Sequence, residues 1–283
     1  MKTTNVFKSQ KGKEDILKYY DFMVNQCSFS YERININTRY GNTHIIASGD
    51  KNNLPIILLH GSGMNSVMWI KDMEKYSKNY RVYAVDILGE PGRSAENQLP
   101  LKGDFYALWL KDVFNSLSIE KASIIGISLG AWLSVKFAVS YRENLDKLVL
   151  ISPSGIGPQK TSFLIKALFY KIFGEKGMDR LCYKVNGNNQ IPEVMLKYQK
   201  LIEKNFNYRR EIIPIFSDEE LKKLTMPIEL FVGEKDIMLH SLKTAKRLEN
   251  LLPHANINIL LGAGHSIANL ADKISTFLQL EKD

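Results

Sequence analysis

One serine in this chain stands where it could become a nucleophile. Gly126-Ile127-Ser128-Leu129-Gly130 follows the apolar run ASIIGI and opens the amphipathic stretch AWLSVKFAVSYR. A G-x-S-x-G pentapeptide between a strand and a helix predicts a sharp turn that lifts the serine hydroxyl clear of a sheet. The two glycines fit a place where strand and helix backbones approach too closely for a Cβ. Amides at the start of the following helix also favour negative charge developing nearby.

A serine hydroxyl is a poor nucleophile until a base takes its proton, and the base needs a carboxylate to orient it. Asp236 lies in GEKD after the run IELFVG, and His265 lies in GAGH after INILLG. The order Ser, Asp/Glu, His is the one expected on a fold with such a turn, and both residues fall past strand ends, where open α/β sheets build their sites. Glu234 is the competing acid; Asp236 is preferred because it lies further past the strand and can turn back toward His265. Among the other histidines, His44 falls in an N-terminal hairpin, and His240 and His254 flank a predicted surface helix. His60 opens HGSG and reads as structural.

Negative charge on a substrate carbonyl needs two amide donors. Leu129 N–H is one, and the loop His60-Gly61-Ser62-Gly63-Met64 after PIILLH supplies the other. Ser62 is the expected donor, with Gly63 and Met64 as neighbouring alternatives. Met64, Trp69, Trp132, Phe163 and Phe169, with Gly63, are the expected walls of the substrate site. The reaction expected of this set is acyl transfer to water through Ser128.

Six short apolar runs must position these residues: PIILLH, RVYAVD, ASIIGI, KLVLIS, IELFVG and INILLG. Continuous rather than alternating apolar runs predict strands buried on both faces, as in a parallel sheet covered by helices. Helix-length stretches at 65–79, 103–118 and 129–143 separate the first four. The expected fold is therefore α/β, doubly wound and mostly parallel. Before it, residues 13–28 predict a helix, and YERININT and THIIAS predict an antiparallel hairpin about Tyr40-Gly41-Asn42. After Ser152 the rhythm breaks, and residues 153–217 carry apolar positions at helical spacing, which predicts a helical lid. The expectation is a single domain over 1–283, with a helical extension at 1–30.

The bulk numbers set outer bounds. A chain of 283 residues buries a core without disulfide or metal support. Its two cysteines, Cys27 and Cys182, have no metal-type spacing and suit a reducing compartment. No apolar run is long enough to span a membrane, and the N-terminus has no signal-type apolar region, so a cytoplasmic location is expected. The net charge is +8, and residues 156–217 hold 11 Lys/Arg against 5 Asp/Glu. That excess reads first as a solvated surface, and second as attraction for anionic substrates or a membrane surface. No nucleic-acid motif accompanies it.

With those residues in hand, the chain from about Tyr31 onward resembles the α/β-hydrolase superfamily. The matching segments are HGSG, Asp86-Ile87-Leu88-Gly89-Glu90-Pro91-Gly92-Arg93-Ser94, GISLG, GEKD and GAGH. NYRVYAVDILGEPGRS, LWLKDVFNSLSIEKASIIGISLGAW and HGSGMNSVMW look more narrowly like the bacterial carboxylesterase NP-like branch. The resemblance implies hydrolysis of carboxylic esters with neither metal nor organic cofactor; the expected substrate is a small ester and the expected state a monomer or homodimer. Two departures stand out: Ala131 follows GISLG where many relatives have glycine, and the lid shows the least resemblance. Ser128 separates the chain from relatives with aspartate there, the haloalkane dehalogenases and epoxide hydrolases. The alternatives are other triad chemistries (C–C bond, lactone or thioester hydrolysis, or perhydrolysis) or a signalling protein that binds a ligand without turnover.

Overall fold

The computed structural model describes residues 5–188 and 190–280. The first four residues of the expected N-terminal extension and residue 189 of the expected lid lie outside them. The chain opens with α1 (Gln10–Val24) and the hairpin β1 (Glu32–Thr38) and β2 (Gly41–Ser48). The apolar runs then form β3 (Pro55–Leu59), β4 (Arg81–Val85), β5 (Ala122–Ile127), β6 (Leu145–Ile151), β7 (Ile228–Gly233) and β8 (Ala255–Leu260). One eight-stranded sheet results, in the order β1-β2-β4-β3-β5-β6-β7-β8. The β1–β2 and β2–β4 pairs are antiparallel and every other pair is parallel.

Helices cover both faces. Between the central strands run α2 (Ile70–Tyr76), α3 (Phe105–Ser116) and α4 (Leu129–Ser140). Alternate strand residues point to opposite faces, so each strand feeds two cores. Ile57, Leu59 and Ile124 join Trp109, Phe114, Trp132 and Phe137 on one side. Ile56, Leu58, Ile125 and Ile127 join Ile16, Tyr20, Met73 and Tyr76 on the other. Burying each such aliphatic side chain is worth about 1.5–3 kcal/mol, and this double demand is why the runs are continuous rather than alternating. β8 differs: as the last strand it has no fully buried residue.

Between β6 and β7 come α5 (Ser162–Ile172), α6 (Gly174–Val185), α7 (Glu193–Asn205) and the short α8 (Asp218–Leu221). The chain ends with α9 (Ser241–Leu251), β8 and α10 (Ala271–Gln279). Two local expectations shift. α1 begins at Gln10 rather than at residue 13, because the Ser9 hydroxyl accepts the Gly12 amide and caps the first turn. The hairpin pairs Thr38 with Gly41, so Arg39 and Tyr40 form the turn and Gly41 takes the positive φ of 120°.

α1 is a structural prop for the insertion. Its Ile16, Tyr20 and Val24 are buried. Its Tyr19 stacks on Tyr198 of α7 at 5.1 Å between ring centroids. Gly12 lets the two helices touch, since a Cβ there would stand 2.6 Å from Asn205 Oδ1.

Candidate active site

Ser128 occupies the single residue between β5 and α4, with φ 53° and ψ −109°. That region is costly for a side-chain-bearing residue, by about 1–3 kcal/mol, and persists only where the surroundings impose it. They do so here through backbone bonds. Ser128 N–H donates to Ile151 O at 2.9 Å, and Trp132 N–H donates to Ser128 O at 3.0 Å. The two flanking glycines make the turn possible. A Cβ on Gly126 would lie 2.6 Å from Gly130 O, and one on Gly130 would lie 2.2 Å from Leu59 O. Ser128 itself is half-buried.

His265 and Asp236 approach from the ends of β8 and β7. His265 Nε2 is 3.0 Å from Ser128 Oγ, and its Nδ1 is 2.8 Å from Asp236 Oδ2. Both side chains are buried. Burial alone would raise the Asp236 carboxyl pKa. Hydrogen bonds from His265 and from the Leu239 and Met238 amides outweigh it and hold the group below its ordinary range. Glu234 is exposed and accepts the Gly262 amide at 3.0 Å, so it tethers the turn before His265. His44 is held by Asn35 in the hairpin, and His254 is exposed. His60 is fully buried, bonded to Gly61 O at 2.8 Å and accepting the Ile87 amide at 2.9 Å, which leaves both ring nitrogens committed to structure.

The three candidate donors of the HGSG loop differ in what already occupies them. Gly63 N–H donates to Glu90 Oε2 at 2.7 Å, and Met64 N–H donates to Gly61 O at 3.2 Å. The Ser62 amide donates to no acceptor among the described residues. Leu129, as the first residue of α4, has no helical carbonyl one turn back. The loop is in place beside the serine: a Cβ on Gly61 would stand 3.7 Å from Ser128 Cβ. These features together can take a proton from Ser128 Oγ and stabilise an oxyanion beside it.

Of the expected walls, few share one role. Met64 is half-buried against the second core. Trp69 is buried in that core. Trp132 is a strut: its indole N–H donates to Pro214 O at 3.0 Å, and its ring stacks on Phe216. Phe163 is half-buried on α5, whereas Phe169 is 57% exposed and packs edge to face on Tyr170 and Phe173 of the insertion. An amphipathic period fixes only that residues share a face, and on α5 that face is the outer one.

Two contributors lay outside the sequence reading. Glu90 is fully buried behind the HGSG loop, with Oε1 unpartnered and burial pushing its pKa up to about 7 against the pull of the Gly63 amide, Arg209 and Ser62. The acid inside DILGEPGRS was the only available signal. The other is a backbone carbonyl. Val185 O, at the end of α6, accepts both His265 N–H at 2.7 Å and Ser266 N–H at 3.2 Å. Side-chain types carry no trace of that bond, but Gly187 and Gly264 do. A Cβ on Gly187 would lie 2.5 Å from Gly264 N, and one on Gly264 would lie 2.2 Å from Gly187 N. Among the described residues no three His, Cys, Asp or Glu side chains converge to hold a metal ion.

Comparison with known proteins agrees with this geometry. Residues 55–173 match the family described as alpha/beta hydrolase fold. Carboxylesterase YbfK of Bacillus subtilis (strain 168) is 32% identical over 266 residues, 88% of this chain and 86% of that protein. The uncharacterized carboxylesterase nap of the same organism is 31% identical, covering 82% of this chain and 80% of its own. The crystal structure of naproxen esterase (carboxylesterase NP) from Bacillus subtilis superposes with a TM-score of 0.85 at 26% identity. It covers 96% of this chain and 100% of that one.

Proposed function

This chain belongs to the α/β-hydrolase fold family, within its carboxylesterase NP-like branch, and we propose that it cleaves small carboxylic esters through an acyl-enzyme on Ser128. The observation that carries this reading is the hydrogen-bonded chain from Asp236 through His265 to Ser128 Oγ. His265 takes the hydroxyl proton as Oγ adds to the ester carbonyl, and Asp236 holds the imidazole tautomer. The Ser62 and Leu129 amides receive the oxyanion. His265 then protonates the leaving alcohol, and a water activated by the same imidazole releases the acid.

In this reading residues 1–283 are one domain, and 153–217 form a lid whose helices decide which esters enter. No metal or organic cofactor takes part, and the protein acts as a monomer or homodimer with no role for nucleic acid. Two free cysteines support a cytoplasmic place. Among the described residues no helix is long and apolar enough to cross a membrane.

Labelling with a fluorophosphonate tests the chemistry, followed by peptide mapping of the adduct. The adduct is expected on Ser128 and absent from Ser128→Ala; labelling that persists in the variant would remove the assignment. A panel of p-nitrophenyl esters, a naproxen ester, lactones and thioesters then ranks the acyl groups, with oxygen esters expected to lead.

A further inference from the structure

α5 is turned inside out relative to an ordinary surface helix. Ile165, Leu168, Phe169, Ile172 and Phe173 recur at intervals of three and four, the spacing of a single helical stripe. Such a stripe normally packs inward. Here its members are 73, 67, 57, 77 and 57% exposed, while Phe163, Ala167 and Tyr170 take the half-buried inner positions. Phe169 and Phe173 touch edge to face at 5.0 Å, so the stripe has a continuous aromatic end. Leaving this much apolar surface in water forfeits several kcal/mol of available burial.

The surroundings of the stripe are basic. Residues 160–184 hold six Lys/Arg and two Asp/Glu. Lys166, Lys171 and Lys176 are exposed beside it. One of the two acids, Asp179, is already paired with Lys200 at 2.8 Å. An apolar strip bordered by lysines matches a surface with hydrocarbon beneath an anionic rim. It does not match itself, because stripe-to-stripe pairing of two copies would bring the same lysines together.

We propose that α5 is a docking surface for anionic lipid bilayers, lying in the plane of the headgroups with its stripe inserted and its lysines on the phosphates. Its 11 residues span about 16 Å at 1.5 Å per residue, a length that lies on a bilayer and does not cross it. α6 packs against α5 and ends at the Val185 carbonyl that holds the His265 amide. The surface seated on lipid is thus one helix removed from the imidazole. Docking itself requires no catalysis.

The test is co-sedimentation of the full chain with vesicles of phosphatidylcholine alone and of phosphatidylcholine mixed with phosphatidylglycerol. Binding is expected on the anionic vesicles, weakening as salt rises. It should fall by about tenfold or more in Leu168→Glu/Ile172→Glu, since each inserted side chain contributes several methylene groups. Lys166→Gln/Lys171→Gln should narrow the preference for anionic over neutral vesicles. Leu168→Gln/Ile172→Gln repeats the stripe test without added charge, and unchanged circular dichroism confirms that each variant is folded. Ser128→Ala should bind like the wild type, which separates this inference from the hydrolase reading. The proposal is overturned by any of three results: no binding to anionic vesicles, binding unchanged by either stripe variant, or a stripe variant that only converts a dimer to a monomer.

Discussion

The two halves of the insertion between β6 and β7 are built in opposite ways. In the front half, α5 and α6 rest mainly on each other and face solvent with an apolar stripe. In the rear half, α7 buries Tyr198 and Ile202 completely and leans on α1. The segment after α7 is tied down at several points. Arg209 Nη1 donates to Leu99 O at 2.7 Å, Glu211 accepts the Leu101 amide at 3.1 Å, and Phe216 N–H donates to Gly155 O at 2.9 Å. Each half also reaches a different part of the site. The front half holds His265 through Val185, and the rear half lies over the oxyanion loop, where Tyr208 covers Gly63. The insertion is therefore anchored to the body along its rear half, while its front half rests mainly on itself and meets the body at His265.

The largest expected effect comes from the chemistry both halves serve. Ser128→Ala should lower ester turnover by up to about 10⁶-fold, read by steady-state hydrolysis of p-nitrophenyl acetate. A loss of only tenfold would remove the common centre from the comparison. Next comes the rear half's anchor. Tyr198→Ala removes a fully buried ring and takes from the buried Asn65 Nδ2 one of its two acceptors, leaving only Pro91 O. It should cost about 3–5 kcal/mol in urea unfolding.

Third is the carboxyl behind the oxyanion loop. Burial favours the protonated form of Glu90, with a folded pKa of about 7 against about 4.3 when unfolded. Its contribution is therefore complete below the unfolded value and is lost as pH rises through 7. Glu90→Gln should flatten that decline, giving a gain on the order of 3 kcal/mol at pH 8 relative to pH 4. Parallel pH dependence in the two proteins would show that the loop does not feel this charge.

A smaller change probes the front half's grip on the base. Gly187→Ala places a Cβ against the Gly264 backbone at a positive φ of 67°. It should lower kcat by about ten- to a hundredfold through displacement of His265, with little change in melting temperature. The smallest effect is expected on the stripe: Leu168→Glu should change unfolding free energy in buffer by no more than about 0.5 kcal/mol. A destabilisation as large as that of Tyr198→Ala would mean the two halves are built alike after all.

What could be read from sequence follows the same division. Ser128, Asp236 and His265 were legible because each sits just past a strand whose burial on both faces leaves a continuous apolar run. Strand ends are fixed by the sheet, so the order of motifs carried spatial information. Residue types do not separate Ser62 from Gly63 and Met64, since the distinction lies in which amides Glu90 and Gly61 already occupy. The Val185 bond was invisible because any residue offers a carbonyl. The exposure of Phe169 is hidden from sequence for a different reason. Periodicity reports a shared face, and deciding whether that face is inner or outer takes the tertiary contacts of the whole insertion.

The backbone at Ser128 carries a further consequence for how this protein tolerates heat and change. Its φ of 53° and ψ of −109° suit glycine better than serine. A chain selected only for resistance to unfolding would gain about 1 kcal/mol by giving that position up. The most strained residue of the turn is also the one whose oxygen faces His265. Thermostability and turnover therefore compete at a single atom's neighbourhood, and any stabilised descendant of this sequence must find its extra stability somewhere other than the β5–α4 turn.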